Sequence, residues 1–385
     1  MEPEQQETFC RPTERPVYQD PAQPYGAAED FAAQQPGGQP GPYIHQQLPP
    51  ELQRKAARSF LRSAGNHAAL MPILMNLIGV LLLIPAFFIW GIAQAKTLIP
   101  YYRSGGTKGV MQYLSSRQDI ILGLTILCTI LGVVCTVLIA RPVLRRKIFT
   151  AWKKPLWSAP GFGKCLVLTF GIAAGGELLA FGWEQLSRLT GWKMTEPNFA
   201  LTGNKTVDFI MMAYICVLAP LMEETLFRGM ILPSLRPWGD RLAVVVSAAM
   251  FGLAHMNLIQ GIPAFCMGLL FARMTLSCGS IVPSALTHIL NNTLSMVMLA
   301  AGIDSNAALQ TGYLVFLAAA AAGSILLLAL RRVDFHKPSP TDVAPAPAVE
   351  HPYRVVFLQS AAFWVTAALF FVMSFALLNT SGVLK

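Results

Sequence analysis

The sequence predicts an all-α protein, a polytopic transmembrane bundle of about eight or nine helices behind a disordered N-terminal tail. Hydrophobic residues make up 54% of the chain and charged residues only 13%, and the mean hydropathy is +0.49. A soluble domain would carry about twice that charged fraction. The second observation is a series of apolar stretches that approach the roughly 20 residues a helix needs to cross the hydrocarbon core. Composition and segment length together place the chain in the lipid bilayer.

The first 52 residues are predicted to form a disordered cytoplasmic tail. They are rich in Pro, Gln, Gly and acidic residues, and such a segment cannot bury enough apolar surface to offset the entropy of ordering. The first apolar run begins near Ala68, too late for a signal peptide, so we expect it to insert as an uncleaved helix. Between tail and helix lies a basic stretch that we expect to face the cytoplasm, with Arg54, Lys55, Arg58 and Arg62.

Nine apolar segments are predicted to cross the membrane. The fifth and sixth are short, and Gly261 and Pro263 predict a tight turn between them. The segments lie near 68–95, 119–140, 165–186, 207–232, 242–258, 262–276, 281–301, 313–330 and 356–378.

Basic residues between the segments predict the orientation of the chain. Loops rich in Lys and Arg stay on the cytoplasmic side, and the connections 141–164 and 331–355 are both of this kind. Counting spans from these two connections places the N-terminus and the loop 228–241 in the cytoplasm. The connection 96–118 conflicts with this count, because it also carries Lys and Arg and would lie outside.

The net charge of +9 does not indicate a nucleic-acid partner. The basic residues cluster between apolar runs, as membrane orientation requires, and the sequence contains no aromatic–basic strip or finger-like spacing. The seven cysteines are scattered, without a CxxC pair, so no disulfide framework is predicted. The partner predicted from composition is the lipid bilayer.

Two adjacent glutamates, Glu223 and Glu224, lie at the end of an apolar run. A carboxylate at membrane depth costs several kcal/mol and is rare without a function. Neighbours on a helix point about 100° apart, whereas Glu224 and Arg228 are four residues apart and share a face. We therefore expect Glu224 to pair with Arg228, and Glu223 to be free to accept a proton from water. The alternative is that both glutamates belong to one buried ion-pair network.

Two histidines and an asparagine lie in later apolar segments. His255 follows Phe251 by one turn, and His288 and Asn292 share a face at i, i+4. The chain contains neither a GxSxG nucleophile elbow nor an HExxH zinc motif. Two chemistries remain open. Glu223 can act as a general base on water with imidazole and amide donors at the oxyanion, or zinc can be held by a carboxylate and two imidazoles.

At these residues the chain resembles the CPBP family of intramembrane glutamic proteases, which includes the type II CAAX prenyl endopeptidases and bacteriocin-processing or immunity proteins. Three motifs carry the resemblance: EExxxR from Glu223, FxxxH ending at His255, and HxxxN from His288. They define a catalytic core at 205–302, between N-terminal membrane helices at 53–204 and C-terminal membrane helices at 303–385.

The resemblance implies a role for each matched residue. Glu223 would activate water with the help of His255. His288 and Asn292 would bind the oxyanion, and Glu224 and Arg228 would shape the site. No cofactor is implied, and zinc is the alternative. The expected substrate is a membrane-associated or hydrophobic peptide or protein, and the expected location is the plasma membrane of a bacterium.

Two other functions remain as alternatives. A non-catalytic scaffold or immunity protein of the same fold would use the polar cluster for packing or recognition. A proton-coupled transporter would use intramembrane carboxylates that also include Glu177 and Glu184, although the paired repeats and interrupted helices typical of transporters are not evident in the sequence.

Overall fold

The computed structural model describes residues 50–144, 151–155, 159–194, 201–333, 335, 353–376 and 378–380. Within them the predicted all-α fold is confirmed, since they form eleven helices. The predicted tail lies outside the described residues, apart from residues 50–52, which begin the first helix. That helix therefore includes the basic stretch and starts well before the apolar run near Ala68.

The helices are numbered in the order of the chain. They are α1 (Pro50–Ala93), α2 (Ala95–Ser116), α3 (Gln118–Val143), α4 (Ala159–Thr190), α5 (Lys205–Trp238), α6 (Asp240–Ala254), α7 (Leu258–Cys278), α8 (Val282–Ala300), α9 (Ala307–Ala329), α10 (Tyr353–Phe357) and α11 (Ala361–Ala376).

A two-stranded antiparallel sheet, which the sequence did not predict, connects the end of α4 with the C-terminal part of the chain. Strand β1 (Trp192–Met194) pairs with β2 (Leu378–Thr380), with Trp192 opposite Thr380. It joins segments far apart in sequence, so no local pattern reveals the pairing.

Six of the described helices are long and apolar enough to cross a membrane. They are α1, α3, α4, α5, α7 and α9, and they coincide with six of the nine predicted segments. The other three segments also form helices. Of these, α6 and α11 are shorter, with 15 and 16 residues, whereas α8 has 19. The chain is a multi-pass, membrane-embedded protein.

The connection 96–118, predicted as a loop, forms helix α2 instead. The helix is kinked at Gly106, whose φ of +59° lies in the left-handed region that favours glycine. The kink folds the second half back, so that the Tyr101 carbonyl lies where a side chain on Gly109 would be. Glycine is therefore required at both positions.

The turn predicted at Gly261 and Pro263 lies earlier in the chain. Helix α6 ends at Ala254, and Asn257 caps α7 by accepting hydrogen bonds from the backbone N–H groups of Ile259 and Gln260. Gly261 is inside α7, where it serves a close helix contact. A Cβ on Gly252 would lie 2.7 Å from the Gly261 carbonyl oxygen.

Helices α5 and α6 share the largest apolar core, and this core supports the polar residues of the motifs. The rings of Phe227 and Phe251 pack edge-on with centroids 5.2 Å apart. The buried Ser247 hydroxyl donates to the Phe227 carbonyl oxygen over 2.9 Å. Helix α7 packs closely against α6, because a Cβ on Gly268 would lie 2.9 Å from the Ala248 Cα.

Candidate active site

Helix α5 contains two π-helical turns, and the eight-residue segment between them carries both motif glutamates. The turns are Tyr214–Leu218 and Phe227–Ile231, and the segment is Ala219–Leu226. In each turn a backbone N–H bonds five residues back, from Ala219 to Tyr214 and from Leu232 to Phe227. Such turns are frequent at functional sites.

Each π turn is followed by a proline, which cannot donate a backbone hydrogen bond. Pro220 lies five residues after Ile215, so it cannot donate to the carbonyl that the π turn displaces. A side chain from another helix takes over this role, since the Asn292 amide Nδ2 donates to the Ile215 carbonyl oxygen over 3.0 Å. Asn292 thereby ties α8 to α5 at the π turn that precedes the segment carrying the glutamates.

The predicted pair of Glu224 and Arg228 is present and fully buried. The Glu224 Oε1 and Arg228 Nη1 atoms are 2.8 Å apart, and both side chains are 0% exposed. The contact is an ion pair without the alignment of a regular hydrogen bond. In this low-dielectric setting, removal of either partner would leave an uncompensated charge.

Three aromatic rings surround the Arg228 guanidinium and complete its environment. Its Cζ lies 4.3 Å from the ring centroid of Phe251, 5.4 Å from that of Phe271 and 5.9 Å from that of Phe227. These distances are within the range of cation–π attraction. We call these three phenylalanines the arginine cage. Phe251 was predicted only as the start of a histidine motif, and nothing in the sequence pointed to Phe271.

Glu223 differs from its neighbour in being partly open, with 21% of its side chain exposed. The buried imidazole of His288 lies between the two glutamates. Its Nε2 is 3.8 Å from Glu223 Oε2, and its Nδ1 is 3.6 Å from Glu224 Oε1. Both distances are longer than a hydrogen bond, so the three groups are close neighbours without a direct hydrogen bond between them. The structure thus brings together Glu223, Glu224 and His288, as the sequence predicted.

His255 lies on the other side of Phe251, at the end of α6. Its Nδ1 is 2.9 Å from the Phe251 carbonyl oxygen. Because a carbonyl only accepts, we assign a proton to Nδ1, and Nε2 makes no hydrogen bond to another of the described residues. Among the described residues, no carboxylate oxygen lies within 4.0 Å of this imidazole. The expected partnership with Glu223 is therefore not a direct contact in this structure.

Phe251 forms a shared wall between the two histidines. Its ring meets His255 edge-on at 5.2 Å and His288 edge-on at 5.7 Å between centroids. The next residue after His255, Met256, has a left-handed backbone with φ of +49°. That conformation costs about 1–2 kcal/mol for a residue with a side chain. It forms part of the short connection to α7, and the sequence had not marked it.

The donors that would be needed for zinc are only partly assembled. Within the described part of the chain, no three His, Cys, Asp or Glu side chains lie close enough together to hold a metal ion. Glu223 and His288 are near each other, and His255 stands apart from them. The residues present do not form a preassembled catalytic zinc site.

Comparison with known families finds a match over part of the chain. Residues 205–294 match the family model described as Type II CAAX prenyl endopeptidase Rce1-like. The matched region runs from the start of α5 into α8 and contains all seven residues of the three motifs, so the resemblance seen in the sequence is confirmed. Neither the curated proteins nor the solved structures compared give a match. The family match supports a CAAX-type intramembrane protease.

Proposed function

We propose, from the endopeptidase family match and the geometry of α5, α6 and α8, that the chain hydrolyses peptide bonds inside the membrane with Glu223 as the general base. One observation carries the proposal: two adjacent glutamates are held in different environments. Glu224 is fully buried against Arg228, whereas Glu223 is 21% exposed. A base that acts on water needs both a carboxylate and access for the water, and Glu223 has both.

The reaction begins with a water molecule that enters beside Glu223. The carboxylate removes a proton from the water, and the oxygen of that water forms a bond to the carbonyl carbon of the peptide. The carbonyl oxygen then carries the negative charge, which nearby N–H donors stabilise. Glu223 returns its proton to the amide nitrogen, the carbon–nitrogen bond breaks, and the amine and carboxylic acid products separate.

His288 and Asn292 supply donors for the oxyanion in this proposal. The His288 Nε2 lies on the Glu223 side of the ring, 3.8 Å from its carboxylate, so an N–H at this position is close to the reacting water. The Asn292 Nδ2 carries two hydrogens, and one of them is engaged with Ile215. The second hydrogen is available to the substrate.

His255 and Arg228 complete the site without forming bonds to the substrate. The Nε2 of His255 can hold a water that bridges toward Glu223, which would join the two groups that are not in direct contact. Arg228 holds the charge of Glu224, and Glu224 in turn lies 3.6 Å from the His288 Nδ1. The buried pair therefore places a carboxylate beside the Nδ1 edge of the imidazole.

The substrate that we propose is a membrane-associated or hydrophobic peptide or protein, without assigning prenylated proteins as its targets. A site built from helices at membrane depth is accessible to chains that partition into the bilayer. The proposed location is a plasma membrane, with the N-terminus in the cytoplasm as the basic connections predict.

The test is cleavage of a quenched fluorescent library of hydrophobic peptides by the purified full-length protein in detergent. Wild type, Glu223→Gln and Glu184→Gln are compared, each with and without a strong zinc chelator. Glu184 is a matched control, since it is a glutamate of α4 whose side chain is 58% exposed and paired with Arg188. We expect Glu223→Gln to lower kcat about 100-fold or more, because a general base contributes about that factor.

Four outcomes are informative. Loss of cleavage in Glu223→Gln alone, with no effect of the chelator, supports the glutamate mechanism. Cleavage that the chelator abolishes indicates zinc chemistry instead. Equal cleavage by wild type and Glu223→Gln contradicts the role of Glu223, and failure of wild type to cleave any peptide favours the scaffold function.

A further inference from the structure

A short segment of the connection between α3 and α4 lies against the candidate active site. The segment covers residues 151–155, which we call the strap. The Trp152 indole Nε1 donates to the Thr225 hydroxyl over 3.1 Å. Thr225 is buried and directly follows Glu224 on α5. The strap therefore contacts the segment that carries both motif glutamates, and the mechanism proposed above does not use it.

The strap also contacts the turn that leads into α8. The backbone N–H of Ile281 donates to the Ala151 carbonyl oxygen over 3.1 Å. The buried Ser280 hydroxyl donates to the Lys153 carbonyl oxygen. The same Ser280 oxygen accepts from the backbone N–H of Val282, the first residue of α8, over 3.2 Å. Three consecutive residues of the strap are thus bonded either to α5 or to the turn before α8.

Helices α5 and α8 run antiparallel at the site, and the strap forms a second link between them. Asn292 on α8 donates to Ile215, which lies early on α5. Further along α5, Glu223 lies beside His288, which comes earlier on α8. The strap then joins Thr225 on α5 to the turn at the start of α8. Along the two helices, Glu223 and His288 therefore lie between the Asn292 link and the strap.

The proposed reaction depends on how Glu223 and His288 are placed relative to each other. Their closest atoms are 3.8 Å apart, so no hydrogen bond between them fixes this distance. The contacts of the two helices must fix it instead. We infer that Trp152 is a positioning residue, which holds the strap between α5 and α8 by its bond to Thr225 and so sets the position of Glu223 relative to His288. The inference rests on the proposed peptidase function.

The strap lies close enough to α5 to be fixed there by a covalent bond. A Cβ on Gly229, in the second π turn, would lie 3.5 Å from the Ala151 Cβ, and its other neighbours would be at ordinary contact distance. The Cβ atoms of a disulfide are about 3.5–4.5 Å apart. Ala151→Cys and Gly229→Cys together therefore allow a disulfide that holds the strap on α5.

The first experiment measures kcat and KM of the full-length protein in detergent, with a hydrophobic peptide that wild type cleaves. Trp152→Phe removes the indole donor and keeps an aromatic ring, and Thr225→Val removes the acceptor. We expect each to lower kcat about tenfold with KM unchanged, because a misplacement of about 1 Å can lower a rate about 100-fold. The double variant should be no slower than the slower single variant, since both substitutions remove the same bond.

Trp364→Phe is the matched control. The Trp364 indole Nε1 also donates a hydrogen bond, to the Leu358 carbonyl oxygen over 2.7 Å, but it lies on α11 and its side chain is exposed. We expect this variant to keep the wild-type kcat. Both Trp→Phe substitutions should lower the unfolding midpoint by no more than about 4 °C, as for the loss of one hydrogen bond. A wild-type kcat in Trp152→Phe overturns the inference.

The engineered disulfide distinguishes positioning from a general loss of structure. In protein that carries Ala151→Cys and Gly229→Cys, oxidation should leave kcat unchanged when Trp152 is present. In the same protein with Trp152→Phe, oxidation should restore kcat, because the disulfide replaces the indole bond in holding the strap. A kcat that stays low in the oxidised Trp152→Phe protein overturns the inference, and so does loss of activity when the protein with Trp152 is oxidised.

The rate of disulfide formation separates this inference from the proposed function, since it requires no cleavage. Mass spectrometry of the digested protein measures the bond between positions 151 and 229. Trp152→Phe should slow its formation about fivefold, the effect of about one hydrogen bond on an equilibrium. If wild type cleaves nothing and this slowing is found, the peptidase function fails and the attachment of the strap by Trp152 stands. A rate that does not depend on the indole overturns the inference.

Discussion

We expect Glu224→Gln to destabilise the folded protein by about 3–5 kcal/mol, because it leaves the Arg228 guanidinium buried without its anion. Both side chains are 0% exposed and their closest charged atoms are 2.8 Å apart, so no solvent is available to replace the carboxylate. The arginine cage compensates only in part, since a desolvated cation–π contact contributes about 2 kcal/mol.

The prediction is measured by thermal unfolding in detergent, followed by intrinsic tryptophan fluorescence at one fixed scan rate. At about 2 °C per kcal/mol, the factor for larger domains, the midpoint of Glu224→Gln should fall by roughly 6–10 °C. Arg228→Met should lower the midpoint by a similar amount, because it leaves the Glu224 carboxylate buried without its cation. The double variant removes both charges, so its free energy of unfolding should lie within about 2 kcal/mol of the wild-type value.

The exposed pair of Glu184 and Arg188 is the control for these variants. Its closest atoms are 2.6 Å apart but the side chains are 58% and 66% exposed, so Glu184→Gln should change stability by less than about 1 kcal/mol. The reasoning is refuted if Glu224→Gln unfolds at the wild-type temperature. It is also refuted if the losses of the two single variants simply add in the double variant.

Two further substitutions test the packing around the site. Asn292→Leu should lower the free energy of unfolding by about 1 kcal/mol, because the partly buried Ile215 carbonyl loses its donor. The loss should shrink in a Pro220→Ala background that restores a backbone N–H, and equal losses in both backgrounds would contradict this. Gly268→Ala should cost about 1–3 kcal/mol through overpacking against Ala248, whereas Gly182→Ala, where nothing lies within 4 Å of the new Cβ, should be neutral or stabilising. Unfolding midpoints measure both, and a harmless Gly268→Ala would contradict the close contact.

The parts of the site that the sequence predicts are those that depend on one helix at a time. The spacing of Glu224 and Arg228 predicts their pairing, because residues four apart meet on any α-helix. The same rule separates the buried Glu224 from the open Glu223. The approach of His288 to both glutamates is a tertiary contact that the spacing along one helix does not predict, and the family resemblance implied that these residues share a site.

The parts that the sequence does not predict depend on a neighbour elsewhere in the chain. Phe271 joins the arginine cage from α7, and in sequence it is one apolar residue among many. The bond from Asn292 to Ile215 requires a displaced carbonyl, which becomes apparent only once the π turn is present. His255 was expected to contact Glu223, but its partner in the structure is the carbonyl of Phe251, because the helix ends there and leaves that carbonyl open.

The membrane topology is predicted in the same uneven way. Long apolar runs give the spans of α3, α4 and α9 reliably, since length alone decides whether a helix can cross the bilayer. Helix α2 was missed because its composition is mixed and its fold depends on the chain doubling back at Gly106. The division of the chain into a core at 205–302 and flanking helices stays a prediction.

The π turns of α5 have a consequence for anyone who wishes to build such a site elsewhere. Each turn accommodates one residue more than a regular helical turn, so the residues beyond it are rotated by about 100°. A helical-wheel projection through α5 loses its phase twice, on either side of Ala219–Leu226. The same sequence placed on a regular α-helix would keep both glutamates but would not keep their orientation. An engineered copy of the site would need both prolines, and it would also need a side-chain amide from a neighbouring helix, as Asn292 provides here, to replace the missing backbone donor.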